Sequence, residues 1–191
     1  MVSSRTSTDV EVAPGARFGI GQHIAAYIEV LLLGIWLGSM VFFSFAVAPS
    51  AFAVLPTREM AGAIVTSAIG KVEAMGLIFG TLLIFMYAAS WRSIQSSRAV
   101  KTLKAILLVV MIASAWMSRF WISPAMVSLR AGMGGRIDDL AATDPMRIQF
   151  NDLHQYSVAL MSAAMISGFL VMFLTVRSWL ESRATKAASY V

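Results

Sequence analysis

Four residues stand out as able to do chemistry in an otherwise apolar chain: Glu73, Arg119, His154 and Ser157. A carboxylate and a guanidinium can pair or hold an ion, an imidazole can carry a proton near neutral pH, and a hydroxyl can both donate and accept. His154 and Ser157 open a stretch from Phe150 to Val176 that begins polar and then runs apolar for a bilayer's width. Together with Met161, Ala164 and Gly168 they recur at spacings of 3, 4, 3 and 4. That pattern lines one face of a helix, so a polar head and a seam of small residues share the side that meets other helices.

The medium around these groups follows from composition. Of 191 residues, 58% are hydrophobic and 13% charged, with a mean hydropathy of +0.75. A soluble domain carries about 25% charged residues. So few charges cannot coat a globule of this size, and the bilayer is the solvent the chain asks for. There is no Cys, which excludes disulfides and thiolate metal sites. The net charge of +5 is spread between apolar runs, which suits membrane orientation and excludes a nucleic-acid patch.

Four runs are long enough to cross at about 20 apolar residues each. The spans are expected at about 24–48, 72–91, 103–127 and 153–176. They lie within a transmembrane domain over 23–180, between a flexible tail over 1–22 and a C-terminal tail over 181–191. The first should stop at Pro49, with a hinge to Thr57. A helix should begin at Arg58 with Thr57 as its N-cap, and another at Pro145 with Asp144 as its cap. The third run meets Pro124 near its end, and a flexible loop follows over 132–144. The fold class is an all-α integral membrane protein, a four-transmembrane-helix bundle. Nine Lys and Arg residues flank the ends on the side of the termini and five the opposite loops. Both termini are therefore expected in the cytoplasm, in a multi-pass protein of the cell's inner membrane.

Lipid tails are as apolar as leucine, so close backbone approach at small residues must bring the helices together. Each span has such a pair: Gly34 and Gly38, Gly76 and Gly80, Ser114 and Ser118, Ala164 and Gly168. Charges in a span face the bundle and find partners. Counting ~1.5 Å per residue from the cytoplasmic ends, Glu73 lies roughly 27 Å up, Arg119 roughly 22 Å and His154 roughly 34 Å. Arg119 is therefore expected to reach Glu73, with His154 and Ser157 capping the pair. The cluster either staples the bundle or binds an ion, anion or proton; residue types alone leave both open. Glu29, in the first span, can face the core, pair with Arg92 or extend to the interface.

Other chemistries fail on placement. His23, an interfacial residue before the first span, and His154 are the only histidines, at opposite surfaces, so they cannot hold a haem between them. Met75, Met117 and Met161 sit one per helix rather than clustered for Cu(I). No hydrolase or nucleotide motif is present. Neither catalytic residues, nor a metal, nor a cofactor is expected.

The stretch G-I-W-L-G-S-M-V-F-F-S-F-A-V-A-P-S-A-F-A-V-L-P from Gly34 to Pro56, then R-E-M-A-G from Arg58 to Gly62, resembles the bacterial relatives of transmembrane protein 205. Ser123-Pro124 with Arg130, and F-x-x-L-H-x-x-S from Phe150 to Ser157, fit the same pattern. The resemblance implies a small four-span membrane protein of a family without established catalytic activity. Pro49, Pro56, Arg58, Gly62, His154 and Ser157 are its matching positions; the Lys71/Glu73 stretch departs from the pattern. The expected role is a non-enzymatic subunit that docks on another membrane protein or self-associates in the lipid bilayer. The alternative is small-solute or ion transport through the outer polar cluster.

Overall fold

A computed structural model describes residues 20–91, 96–134 and 139–188. The expected N-terminal tail therefore lies almost wholly outside the described residues, as do the His23 and Arg92 side chains and the middle of the 132–144 loop. The described chain is helical and contains four rods long and apolar enough to cross a membrane: Ile24–Val54, Arg58–Ser90, Arg98–Gly132 and Pro145–Glu181. It is an all-α four-helix bundle of a multi-pass membrane protein.

The first rod joins α1 (Ile20–Phe42), a π turn (Phe43–Val47) and α2 (Ala48–Val54). The second is α3 (Arg58–Ser90). The third joins α4 (Arg98–Met117), a second π turn (Ser118–Ile122) and α5 (Ser123–Gly132). The fourth lies within α6 (Pro145–Ala188). Helix starts follow local chemistry. The Thr57 hydroxyl accepts from the Met60 N–H at 3.2 Å, and Asp144 Oδ1 accepts from the Met146 N–H at 2.8 Å, ahead of Pro145.

The first span does not stop at Pro49 as expected, whereas Pro124 interrupts its rod little, as its place near the end of the third span implied. Pro49 and Pro124 sit inside rods that continue past them. Proline lacks an N–H and crowds the carbonyl one turn back. In each rod the preceding turn widens: Ala48 N–H bonds the Phe43 carbonyl and Ser123 N–H bonds the Ser118 carbonyl, five residues back. The widened turn absorbs the proline, and the break falls later, at Leu55 to Thr57, where Leu55 turns extended. Beyond the fourth span, α6 runs on to Ala188.

In the bundle α1 packs on α3 and α6, and α4 packs on the same two, leaving α1 and α4 diagonal. The core draws Leu33, Trp36, Leu37 and Met40 from α1, Leu83 and Tyr87 from α3, Leu108 and Met111 from α4, and Ala164 and Val171 from α6. Small residues set the approach, at three glycines above all. A Cβ on Gly76 would come within 2.7 Å of Trp36 Nε1, one on Gly80 within 2.6 Å of Ile112 Cγ1, and one on Gly168 within 3.0 Å of Leu37 Cδ2. Ser114, Ser118 and Ala164 are buried beside them. Gly34 and Gly38 do not share this role. Both point away from the bundle, with nothing among the described residues within 4 Å of where a Cβ would stand. The inward stripe of α1 runs through Leu33, Trp36, Leu37 and Met40, and at roughly 100° per residue both glycines fall on the far side.

Candidate functional site

Among the described residues, the bundle carries two internal polar groups, one at each end of the apolar core. At the end away from the chain termini, Glu73 of α3 is 8% exposed. Its Oε1 accepts a short hydrogen bond from the Ser118 hydroxyl and another from Ser123 at 3.2 Å; Ser123 Oγ is also 3.4 Å from Oε2. The two serines are five residues apart. In an α-helix that offset turns them roughly 140° from each other. The π turn bonds residue i to i+5 and stacks them on one side, so both hydroxyls reach the same carboxylate. The widening that absorbs Pro124 thus also builds the Glu73 seat.

Arg119 does not pair with Glu73, contrary to the expectation from depth. It follows Ser118 in the π turn, so when Ser118 faces inward Arg119 is carried round to an exposed position. Its Nη1 lies 3.3 Å from where a Cβ on Gly70 would stand. Among the described residues, Glu73 has serine hydroxyls as partners and no cation at ion-pair distance. His154 is exposed and Ser157 half-buried, and neither caps the carboxylate. Of the four singled-out residues, only Glu73 sits in the polar interior.

The serines are joined along the same seam by Arg130 of α5. Its Nη1 donates to Thr66 Oγ1 at 3.2 Å, and its guanidinium lies 5.6 Å from the centre of the Phe150 ring. A Cβ on Gly62 would meet Nη2 at 2.9 Å. Gly62 thus meets this group by direct contact, alongside Ser123 and Arg130, which belong to the same resemblance. Pro49 and Pro56 are exposed, and Arg58 is the exposed first residue of α3.

The second polar group was left undecided by the residues. Glu29 Oε1 lies 2.6 Å from Lys104 Nζ, with side chains 16% and 10% exposed. The Thr175 hydroxyl is 2.8 Å from both Glu29 Oε1 and the Val171 carbonyl. Lys104 Nζ also stands 5.2 Å from the Tyr87 ring centre, and the Tyr87 hydroxyl donates to the Lys101 carbonyl at 2.7 Å. The sequence did hold a signal. Glu29 continues the stripe of Leu33, Trp36 and Met40, and Lys104 that of Leu108, Met111 and Ala115, so both charges occupy core positions of their helices.

Between the two groups lies Leu33, Leu37, Leu83, Leu108 and Val171, each at most 2% exposed. Along α1 this layer is roughly 10 Å thick, from Glu29 to Trp36. Beside Glu73 is a cavity of about 30 Å³ lined by Trp36, Met40, Ser114, Ser118, Met161 and Ala164 among others. No set of three or more His, Cys, Asp or Glu residues poised for a metal occurs among the described residues.

Comparison with known proteins yields one match. The family model described as "Domain of unknown function (DUF4149)" covers residues 31–134. No curated protein and no solved structure matches the chain. The matched region takes in Glu73, Ser118, Ser123, Gly62 and Arg130, and leaves outside it Glu29, His154, Ser157 and Thr175. With more than half of its residues inside that match, the chain belongs to the DUF4149 family, an uncharacterised family of membrane domains.

Proposed function

We propose that this protein is a non-enzymatic membrane subunit that pairs with a second copy of itself through the lipid-facing side of α1. The observation that carries this reading is the open notch at Gly34 and Gly38, where no atom of the described residues lies within 4 Å of either Cβ position. The glycines at 76, 80 and 168 are filled by Trp36, Ile112 and Leu37, so their smallness already serves the fold. At 34 and 38 it admits no neighbour among the described residues. A G-x-x-x-G notch lets two helix backbones come together in lipid, crossing at about −40°. It is also self-complementary, as a two-fold interface requires. Leu31, Ile35 and Phe42 flank it as exposed apolar knobs.

The interior supports the non-enzymatic part of the proposal. Both buried carboxylates are engaged by neighbouring side chains, and the cavity at Glu73 is too small for a substrate. The alternative, solute or ion transport through Glu73, Arg119 and His154, has against it the ~10 Å apolar layer beneath the cluster. Passage would need that layer to part. The basic residues flanking the terminal side favour both termini in the cytoplasm, in the inner membrane. Kinship with transmembrane protein 205 is part of the same reading, and rests on the order of the Gly34–Pro56, Arg58–Gly62 and Phe150–Ser157 segments.

Counting photobleaching steps of single fluorescently tagged molecules in native membranes tests it. Wild type is expected to bleach mostly in two steps, and the double variant Gly34→Leu/Gly38→Leu in one. Single-step bleaching of wild type at high surface density would end the reading.

A further inference from the structure

The cavity beside Glu73 holds a polar atom that the protein leaves without a partner. Trp36 is 2% exposed, yet its Nε1–H has no acceptor among the described residues. Burying an N–H unbonded costs about 1–3 kcal/mol, and native interiors rarely leave one so. The indole nitrogen packs over Gly76, one helical turn along α3 from Glu73. Trp36 and Glu73 line the same cavity, together with Ser114 and Ser118.

We propose that this cavity is a built site for a single ordered water, which accepts from the Trp36 indole and donates to Glu73 or a neighbouring serine. Size and chemistry select that occupant. About 30 Å³ exceeds the ~10–15 Å³ that one water needs, and a buried water requires 2–4 polar partners. A metal cation cannot accept the indole proton. An anion would accept it but would face the Glu73 carboxyl oxygens. Water does both jobs, accepting on one side and donating on the other. The hydrogen-bonded chain then runs from half-buried Ser123 through Glu73 and the water to Trp36, and ends at the layer of Leu33, Leu37, Leu83, Leu108 and Val171. It is a blind hydrated pocket, wet from the Ser123 side and closed below. This inference is independent of self-association.

The test is water-edited NMR on the full chain in lipid nanodiscs with ¹⁵N-labelled tryptophan, the Trp36 indole being assigned with Trp36→Phe. The expected result is a cross-relaxation peak between the Trp36 N–H and water, of a sign that excludes proton exchange. Ala164→Val, which fills the cavity wall, should abolish that peak while leaving the other indoles unchanged. Glu73→Gln, which keeps an acceptor oxygen, should retain it. A protected Trp36 N–H with no water peak overturns the proposal, and so does a peak that survives Ala164→Val. Should Ala164→Val fail to fold, the wild-type and Glu73→Gln spectra decide by the presence or absence of the peak.

Discussion

Lys104→Met should destabilise the bundle by about 3–5 kcal/mol, the largest single-site effect expected in this chain. The substitution keeps the apolar stem and removes the ammonium 2.6 Å from Glu29. Both side chains are mostly withdrawn from solvent, so among the described residues the carboxylate left behind keeps the Thr175 hydroxyl alone. Breaking one half of a buried pair leaves a charge uncompensated, whereas replacing both halves by apolar groups is often nearly neutral. Glu29→Leu placed on top of Lys104→Met should therefore recover most of the loss. Equilibrium unfolding in mixed micelles reads both variants. A loss below ~1 kcal/mol for Lys104→Met would place the pair among exposed ion pairs and refute its burial.

The second large effect is expected at the other polar group. Ser118→Ala and Ser123→Ala each remove a hydroxyl from Glu73, and hydrogen bonds to a charged group contribute about 1.5–3 kcal/mol each. Their combination should be worse than either alone and should be relieved by adding Glu73→Leu, which removes the group left unsatisfied. The same unfolding measurement applies. If the double serine variant unfolds like wild type, the carboxylate is not held as described and the π turn has no role in seating it.

How far these features could be read from residues depends on which rule governed each. Helix starts were legible because caps are local: Thr57 and Asp144-Pro145 fix their boundaries with the backbone beside them. The four crossings were legible because length and apolarity decide them. Pro49 misled because a proline rule read alone predicts a stop, whereas a π turn just upstream lets the rod continue, as a second π turn does before Pro124. That same turn hid the partners of Glu73. Ser118 and Ser123 are five apart, a spacing that α-helical geometry scatters, so depth pointed to Arg119 instead.

Glu29 and Lys104 were within reach of a stripe count, since each continues a core face of its own helix. Depth alone could not rank pairing with Arg92 against burial. For the small-residue pairs, smallness is visible in the sequence but direction is not. Gly76, Gly80 and Gly168 turn inward and Gly34 and Gly38 outward, which depends on the phase of α1 set by Leu33, Trp36 and Met40.

Self-association through that outward notch is the central claim, and position-resolved disulfide trapping in native membranes tests it most directly. The chain has no cysteine, so each introduced thiol reports alone. Single cysteines at Leu31, Ile35 and Phe42 flank the notch, while Phe85 and Phe173 are equally lipid-facing on other helices. On oxidation, the predicted outcome is covalent dimer at the α1 positions and monomer at Phe85 and Phe173. Dimer formed evenly at all five positions, or at none on α1, would contradict it.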